Sequence, residues 1–194
     1  MRPKNLRASQ ADGRKRPEMA GEVIRYGFGR TSVAAVLVAA SDKGVVAILI
    51  QEHPGDEALV EALRVRFPRA ELRHDRTGTH EMVEAVVSFV EDPRGNLALP
   101  LEIRGTDFQR WVWEAIRKIP FGQTTTSLEI ARAIGAPKAV RTVGSACSRN
   151  PLEFAIPCHR VLRTDGSYSG GSEWGDWRQE TIVQREAASR AQLS

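Results

Sequence analysis

Cysteine is scarce in this chain: two thiols, Cys147 and Cys158, in 194 residues. Two cysteines exclude an all-thiolate zinc site, and in a reducing compartment both remain free. Histidine is almost as rare, and His53, His74, His80 and His159 fall at no metal-ligand spacing. The sequence therefore predicts no metal and no other cofactor. Long apolar runs are missing too; none approaches the roughly 20 residues that a bilayer span requires. The N-terminus is basic but lacks the apolar stretch of a secretory signal. The expectation is a soluble cytoplasmic protein without a membrane role.

What is present is a 41% hydrophobic chain with a formal net charge of +4, enough for one large or two small packed domains. The charge is uneven. Residues 1–20 carry a net +4, residues 21–100 a net −3 and residues 101–194 a net +3. The tail and the C-terminal half favour a polyanion; the middle does not. Residues 1–20 are polar and free of aromatics, and read as a disordered basic tail.

From residue 21 to 103 the pattern predicts a small α/β domain. The runs SVAAVLVAA (32–40) and GVVAILI (44–50), joined by Ser41-Asp42-Lys43 with Gly44 easing the turn, predict a hairpin. Asp56 fits the cap of a helix reaching Phe67, with Leu59, Leu63 and Phe67 on one face. A second helix is predicted over Thr79–Glu91, burying Met82, Val86, Val87 and Val90, and LALPLEI (97–103) reads as extended.

From 104 to 190 the texture becomes mostly helical. Thr106 and Gln109 predict a capping box for a helix over Asp107–Lys118, with Phe108, Val112, Ala115 and Ile119 as its apolar stripe. A short helix over Ser127–Ile134 stops at Gly135, and Pro137 starts another that reaches about Cys147. Two short helices across Gly-Ala-Pro form a helix-turn-helix pattern. Lys138, Arg141 and Arg149 place positive charge on or just after the second helix. That charge fits either a solvated basic face or a DNA contact.

Cys158 follows the apolar stretch Leu152–Ile156. Such a cysteine fits a buried structural residue, a hydrolase nucleophile or a group acceptor. His159 and Arg160, which follow it, are groups able to favour a thiolate. Read as an extended segment, the chain sends Cys158 and His159 to opposite sides, so that only a water or a bend at Pro157 couples them.

Pro157-Cys158-His159-Arg160-Val161 resembles the active-site signature of the methylated-DNA–protein-cysteine methyltransferases, above all the C-terminal part of the Ada-like members. The likeness spans about residues 22–190 and includes RGTDFQRWVW, PFGQT, APKAVRTVGSACSRNP, IPCHRVLRTDG and SYSGG. It implies an α+β fold, with a ribonuclease H-like N-terminal α/β domain and a C-terminal acceptor domain holding a winged helix-turn-helix. It implies irreversible, single-turnover transfer of an alkyl group from O6-alkylguanine, and also from O4-methylthymine, to Cys158 after base flipping. The partner is double-stranded DNA, the protein a monomer, and in a bacterium its place the nucleoid.

By the same resemblance His159 is the general base acting through water and Glu186 orients it. Arg141 fills the gap left by the flipped base, Lys138 lies at the DNA, and Asn150 is the hinge between recognition helix and active-site segment. Val161, Tyr168, Ser169 and Cys147 surround the base, and the carbonyls of Cys158 and Val161 accept from the guanine amino group. One departure stands out: Ser127 occupies the place of a tyrosine that in the family contacts the guanine and crowds the flipped phosphate. Relatives that bind alkylated DNA without reacting lack the acceptor cysteine, which is present here.

Overall fold

The computed structural model describes residues 21–51, 55–168 and 176–192. The basic tail, His53 and Ser169 lie outside them. Strands β1 (Val23–Arg30), β2 (Ala35–Ser41) and β3 (Gly44–Gln51) run antiparallel in succession, and β4 (Glu71–His74) joins parallel to β1, giving the order β3-β2-β1-β4. The predicted hairpin is the β2–β3 pair.

β2 is buried along its whole length because both faces of the sheet are covered. Ala35, Leu37, Ala39 and Leu49 pack with Leu59, Leu63 and Phe67 from α1 (Asp56–Arg66) and its C-terminal end. Val36, Val38, Ile48 and Ile50 pack with Val83, Val86, Phe89 and Val90 of α2 (Arg76–Glu91). Two helix starts differ from expectation. Asp56 is the first helical residue of α1, preceded by Gly55 without a side-chain cap; its charge instead complements the helix dipole. α2 starts one turn before Thr79 because Asp75 caps it, accepting from the Gly78 N–H at 2.8 Å. Met82 and Val87 are only partly buried, while Val83 and Phe89 enter the core.

β1 is a strand that the apolar pattern does not reveal, since VIRYGFGR carries two glycines. They are there for α2. A Cβ at Gly27 would lie 2.1 Å from Thr79 Oγ1, and one at Gly29 would lie 2.6 Å from a Val87 methyl, so any larger residue would push the helix off the sheet.

The outer edge of β3 is occupied by two later segments. Val45 N–H donates to Pro100 O at 2.7 Å and Val45 O accepts in turn from Glu102 N–H at 2.9 Å, while Ile48 N–H donates to Pro151 O at 2.7 Å. These bonds cover a sheet edge and fix Asn150-Pro151-Leu152 against it.

The remaining elements are α3 (Asp107–Arg117), β5 (Thr125–Thr126), α4 (Ser127–Ala133), α5 (Val140–Ser148), β6 (Val161–Leu162) and α6 (Asp176–Gln192), with β5 and β6 paired in parallel. The Thr106/Gln109 capping box is present. On α3 the buried face is Val112, Trp113 and Ile116, with Phe108 and Ala115 at its margin. α5 starts at Val140, not at Pro137, which lies in the preceding turn. The core on the α2 side of the sheet continues without a break through Trp113, Ile116, Ile130, Val143, Leu152, Ile156 and Ile182. Trp113 Nε1 also donates to Ala146 O at 3.0 Å, locking α3 to α5. The sheet and the helices are therefore one packed α+β body. No helix among the described residues is long and apolar enough to cross a membrane.

Candidate active site

Cys158 lies in a turn, not in an extended strand. Residues Cys158–Arg160 form one turn of 3-10 helix, in which Arg160 N–H donates to Pro157 O at 3.0 Å and Val161 N–H to Cys158 O. Asn150 sets this turn in place. Its amide donates to Ile156 O at 2.9 Å, and its Oδ1 accepts from Leu152 N–H at 3.0 Å. One buried side chain thus ties the end of α5 to both sides of the loop that delivers the cysteine. Sequence reasoning missed Phe154, a buried residue at φ 65°. This left-handed backbone costs roughly 1–3 kcal/mol in a non-glycine residue. It aims the ring at Phe89 and at the edge of His159, both with centroids at 5.6 Å.

Behind the turn lies a buried charge network. Glu186 on α6 is 1% exposed. One oxygen accepts from Arg160 Nε at 2.8 Å; the other accepts from Arg160 Nη2 and contacts His159 Nε2, both at 2.9 Å. Gly122, at φ 66°, turns its N–H onto the same carboxylate at 3.3 Å. Arg160 Nη1 donates to Asn96 Oδ1 at 2.8 Å and to Ile119 O at 3.0 Å. Its charge therefore serves Glu186 and not the thiol, contrary to the expectation that it favours a thiolate.

The titration behaviour follows from these contacts. Burial raises the carboxyl of Glu186, but the bonds from His159 and Arg160 outweigh it and hold it at about 2. Burial lowers the imidazole of His159, against the pull of Glu186, so the ring is neutral near pH 7. With Nε2–H donated to the carboxylate, the neutral ring keeps Nδ1 as its acceptor. The Cys158 thiol is pushed well up, first by the neighbouring Cys147 thiol, then by burial and by Glu153, with Asn150 opposing. At rest the site holds a protonated thiol, a neutral imidazole and an ionised carboxylate.

The helix pair stands beside this turn. Lys138, in the turn before α5, and Arg141, in the first turn of α5, are exposed and pair with no acid among the described residues. Cys147, in the last turn of α5, packs next to Cys158 at the edge of the core. Ser127 is 9% exposed and is the first residue of α4. It is not the cap: Thr126 accepts from Glu129 N–H, and Glu129 answers to the Thr126 backbone. Val161 is buried directly after the turn, and Tyr168 is half-buried, its phenol raised by burial and by Glu180. Gln179, on α6, has no signal in the sequence pattern. Its Nε2 donates to His159 O at 2.9 Å and Val161 O at 3.2 Å.

Residues 107–188 match the family described as 6-O-methylguanine DNA methyltransferase, DNA binding domain. The chain is 42% identical over 164 residues to the bifunctional transcriptional activator/DNA repair enzyme Ada of Escherichia coli, covering 84% of this chain and 46% of Ada; it thus spans about half the length of that relative. It is 40% identical over 139 residues to the inducible methylated-DNA–protein-cysteine methyltransferase of Bacillus subtilis, covering 70% of this chain and 77% of that one. Among solved structures it is similar to Mycobacterium tuberculosis OGT in complex with DNA, with TM-score 0.70, 27% identity, and coverage of 85% of this chain and 94% of that one.

Proposed function

Because the chain belongs to the methylated-DNA–protein-cysteine methyltransferase family, we propose that it repairs DNA by moving an alkyl group from guanine O6 onto the sulfur of Cys158. The sulfur–carbon bond forms as the carbon–O6 bond breaks. The thiol proton passes through water to His159 Nδ1, and the guanine leaves with a proton in place of its alkyl group. Glu186 stabilises the imidazolium formed in passing. The product is a thioether, which water does not cleave, so each molecule acts once. Direct transfer from O4-methylthymine is the same displacement on a smaller base.

The single observation that carries this reading is His159, the residue after Cys158, held at Nε2 by the buried Glu186 at 2.9 Å, with Arg160 balancing that carboxylate. A protonated thiol needs a base, and His159 has Nδ1 left as an acceptor while Glu186 holds its Nε2. The alkyl carbon lies inside the duplex, so the base has to be flipped out. The exposed Arg141 and Lys138 fit the neighbouring strand, with Arg141 filling the vacancy. Asn150 holds recognition helix and acceptor turn in register, and Val161, Tyr168 and Cys147 wall the base, with Ser169, outside the described residues, assigned to the same role by the family resemblance alone. We read residues 104–190 as a winged helix-turn-helix acceptor domain, the β5–β6 pair flanking the helices. Residues 21–103 read as a ribonuclease H-like domain, supported by the order β3-β2-β1-β4 with β1 parallel to β4. The protein acts as a monomer on double-stranded DNA, in the cytoplasm or at the nucleoid.

The test is incubation with duplex DNA carrying labelled O6-methylguanine. Label is expected on the protein, at one methyl per chain however much substrate remains, and none on Cys158→Ala, which still binds the DNA. Turnover above one, or label on the Cys158→Ala protein, refutes the assignment.

A further inference from the structure

Gln179 is 4% exposed, and its amide bridges the carbonyls of His159 and Val161 at 2.9 and 3.2 Å. It stands two helical turns before Glu186 on α6, with the fully buried Ile182 between them. Seven residues apart, the two side chains share one face of the helix. α6 therefore grips the acceptor turn twice, Glu186 by its side chains and Gln179 by its backbone. The Cys158 carbonyl is held from within the turn by the Val161 N–H. Each carbonyl oxygen has two lone pairs, so Val161 O has the capacity to accept a second bond beside that from Gln179.

We propose that Gln179 is a positioning residue for base recognition, aiming the Val161 carbonyl at the exocyclic amino group of the flipped guanine. This rests on the functional reading above. A neutral amide suits that role, since it donates to two carbonyls at once and adds no charge beside the buried His159 and Glu186. Without the donor, Val161 O is free to turn, and the base loses a fixed acceptor. A buried hydrogen bond of this kind contributes about 0.5–1.5 kcal/mol, which is roughly a threefold to tenfold effect on rate.

The experiment compares two oligonucleotide duplexes, one carrying O6-methylguanine and one carrying O6-methylhypoxanthine, which lacks only the amino group. Single-turnover rates are measured at saturating protein for wild type, Gln179→Met and Gln179→Glu. Wild type is expected to prefer the guanine duplex. Gln179→Met, close in length but without a donor, is expected to lose about threefold to tenfold on O6-methylguanine and little on the analogue. Gln179→Glu, which turns an acceptor on the two carbonyls, is expected to narrow the preference at least as far. The ratio of rates within one preparation is unaffected by any fraction of protein that fails to fold. Equal losses on both duplexes make Gln179 a general support of the fold and overturn the inference alone. Equal wild-type rates on the two duplexes overturn it as well, because the amino group is then not read. Failure of wild type to take a methyl from either overturns the functional reading and the inference with it.

Discussion

Glu186→Gln is the sharpest perturbation the site offers, because one atom changes while the shape of the side chain is kept. The carboxylate faces four donors: two of Arg160, the His159 ring and the Gly122 N–H. An amide turns an NH2 toward some of them and leaves the buried Arg160 charge without its counter-ion. The loss can be sized in two ways. The carboxyl sits at about 2, against an ordinary value of 4.5, and at 1.36 kcal/mol per tenfold this is about 3 kcal/mol of stability at neutral pH. Breaking a buried ion pair by removing one partner costs about 3–5 kcal/mol. The two agree near the lower figure, which for a chain of this length is a fall in Tm of about 6–12 °C. The sign of the pH dependence follows. A depressed carboxyl contributes stability in full above the unfolded value near 4.5, and that contribution is lost as pH falls through about 2. The lowered His159 acts in the same direction: below about 6.5 the unfolded chain takes up a proton that the folded ring refuses. Urea denaturation followed by tryptophan fluorescence is expected to show a gap of about 3 kcal/mol between the two proteins at pH 7, shrinking as pH falls from about 4.5 toward about 2. A gap below about 1 kcal/mol at pH 7, or one that does not shrink in acid, refutes the reading of Glu186 as the ionised anchor of the network.

Cys147→Ala removes the first cause of the raised Cys158 thiol, so repair is retained and the pH midpoint for alkylation of Cys158 by iodoacetamide falls; an unchanged or higher midpoint contradicts the contact. Arg141→Ala is expected to slow repair of duplex DNA by about tenfold or more, with about threefold or less effect on reaction with free O6-alkylguanine base, since only a duplex needs its vacancy filled; equal losses make Arg141 structural. Ser127→Tyr is expected to raise the ratio of duplex to single-strand repair rates by about threefold to tenfold, because serine is too short both to touch the base and to crowd the rotated phosphate. Thr126 supplies the helix cap, so loss of capping cannot mask the result, and an unchanged or lower ratio rejects the idea.

The parts of this fold legible in the sequence are those whose cause is local. The Thr106/Gln109 box and the stop at Gly135 lie within a few residues of what they control, and α3 and α4 follow. The β2–β3 hairpin is written in its own apolar runs. β1 is hidden because Gly27 and Gly29 make sense only against Thr79 and Val87, far along the chain. The turn at Cys158 is illegible for the same reason: its shape depends on Asn150 and on Phe154, whose left-handed backbone has no signal in a phenylalanine. At the site, motif order brings Cys158, His159 and Glu186 together. Gln179 and Asn96 cannot be found that way, because each acts on backbone or guanidinium atoms presented by another element.

If each molecule acts once, as proposed, the resting protonation of the site bears on how it is kept usable. A thiolate exposed at the surface reacts with any electrophile that reaches it, and here each such event would consume the molecule. Cys158 remains partly open to solvent, yet Cys147, burial and Glu153 hold it as a thiol. In the proposed reaction the thiol reacts only when its proton can leave, and the acceptor offered is the neutral His159 fixed by Glu186. Arg160 completes the arrangement by balancing Glu186 from the far side, so that the imidazole stays free of its proton until one is handed over. On this reasoning the reactivity of Cys158 toward small electrophiles at pH 7 is low in the free protein, while its reaction with a flipped alkylguanine is fast. In the proposed reaction the same buried network that keeps the proton acceptor from solvent offers it to the bound base.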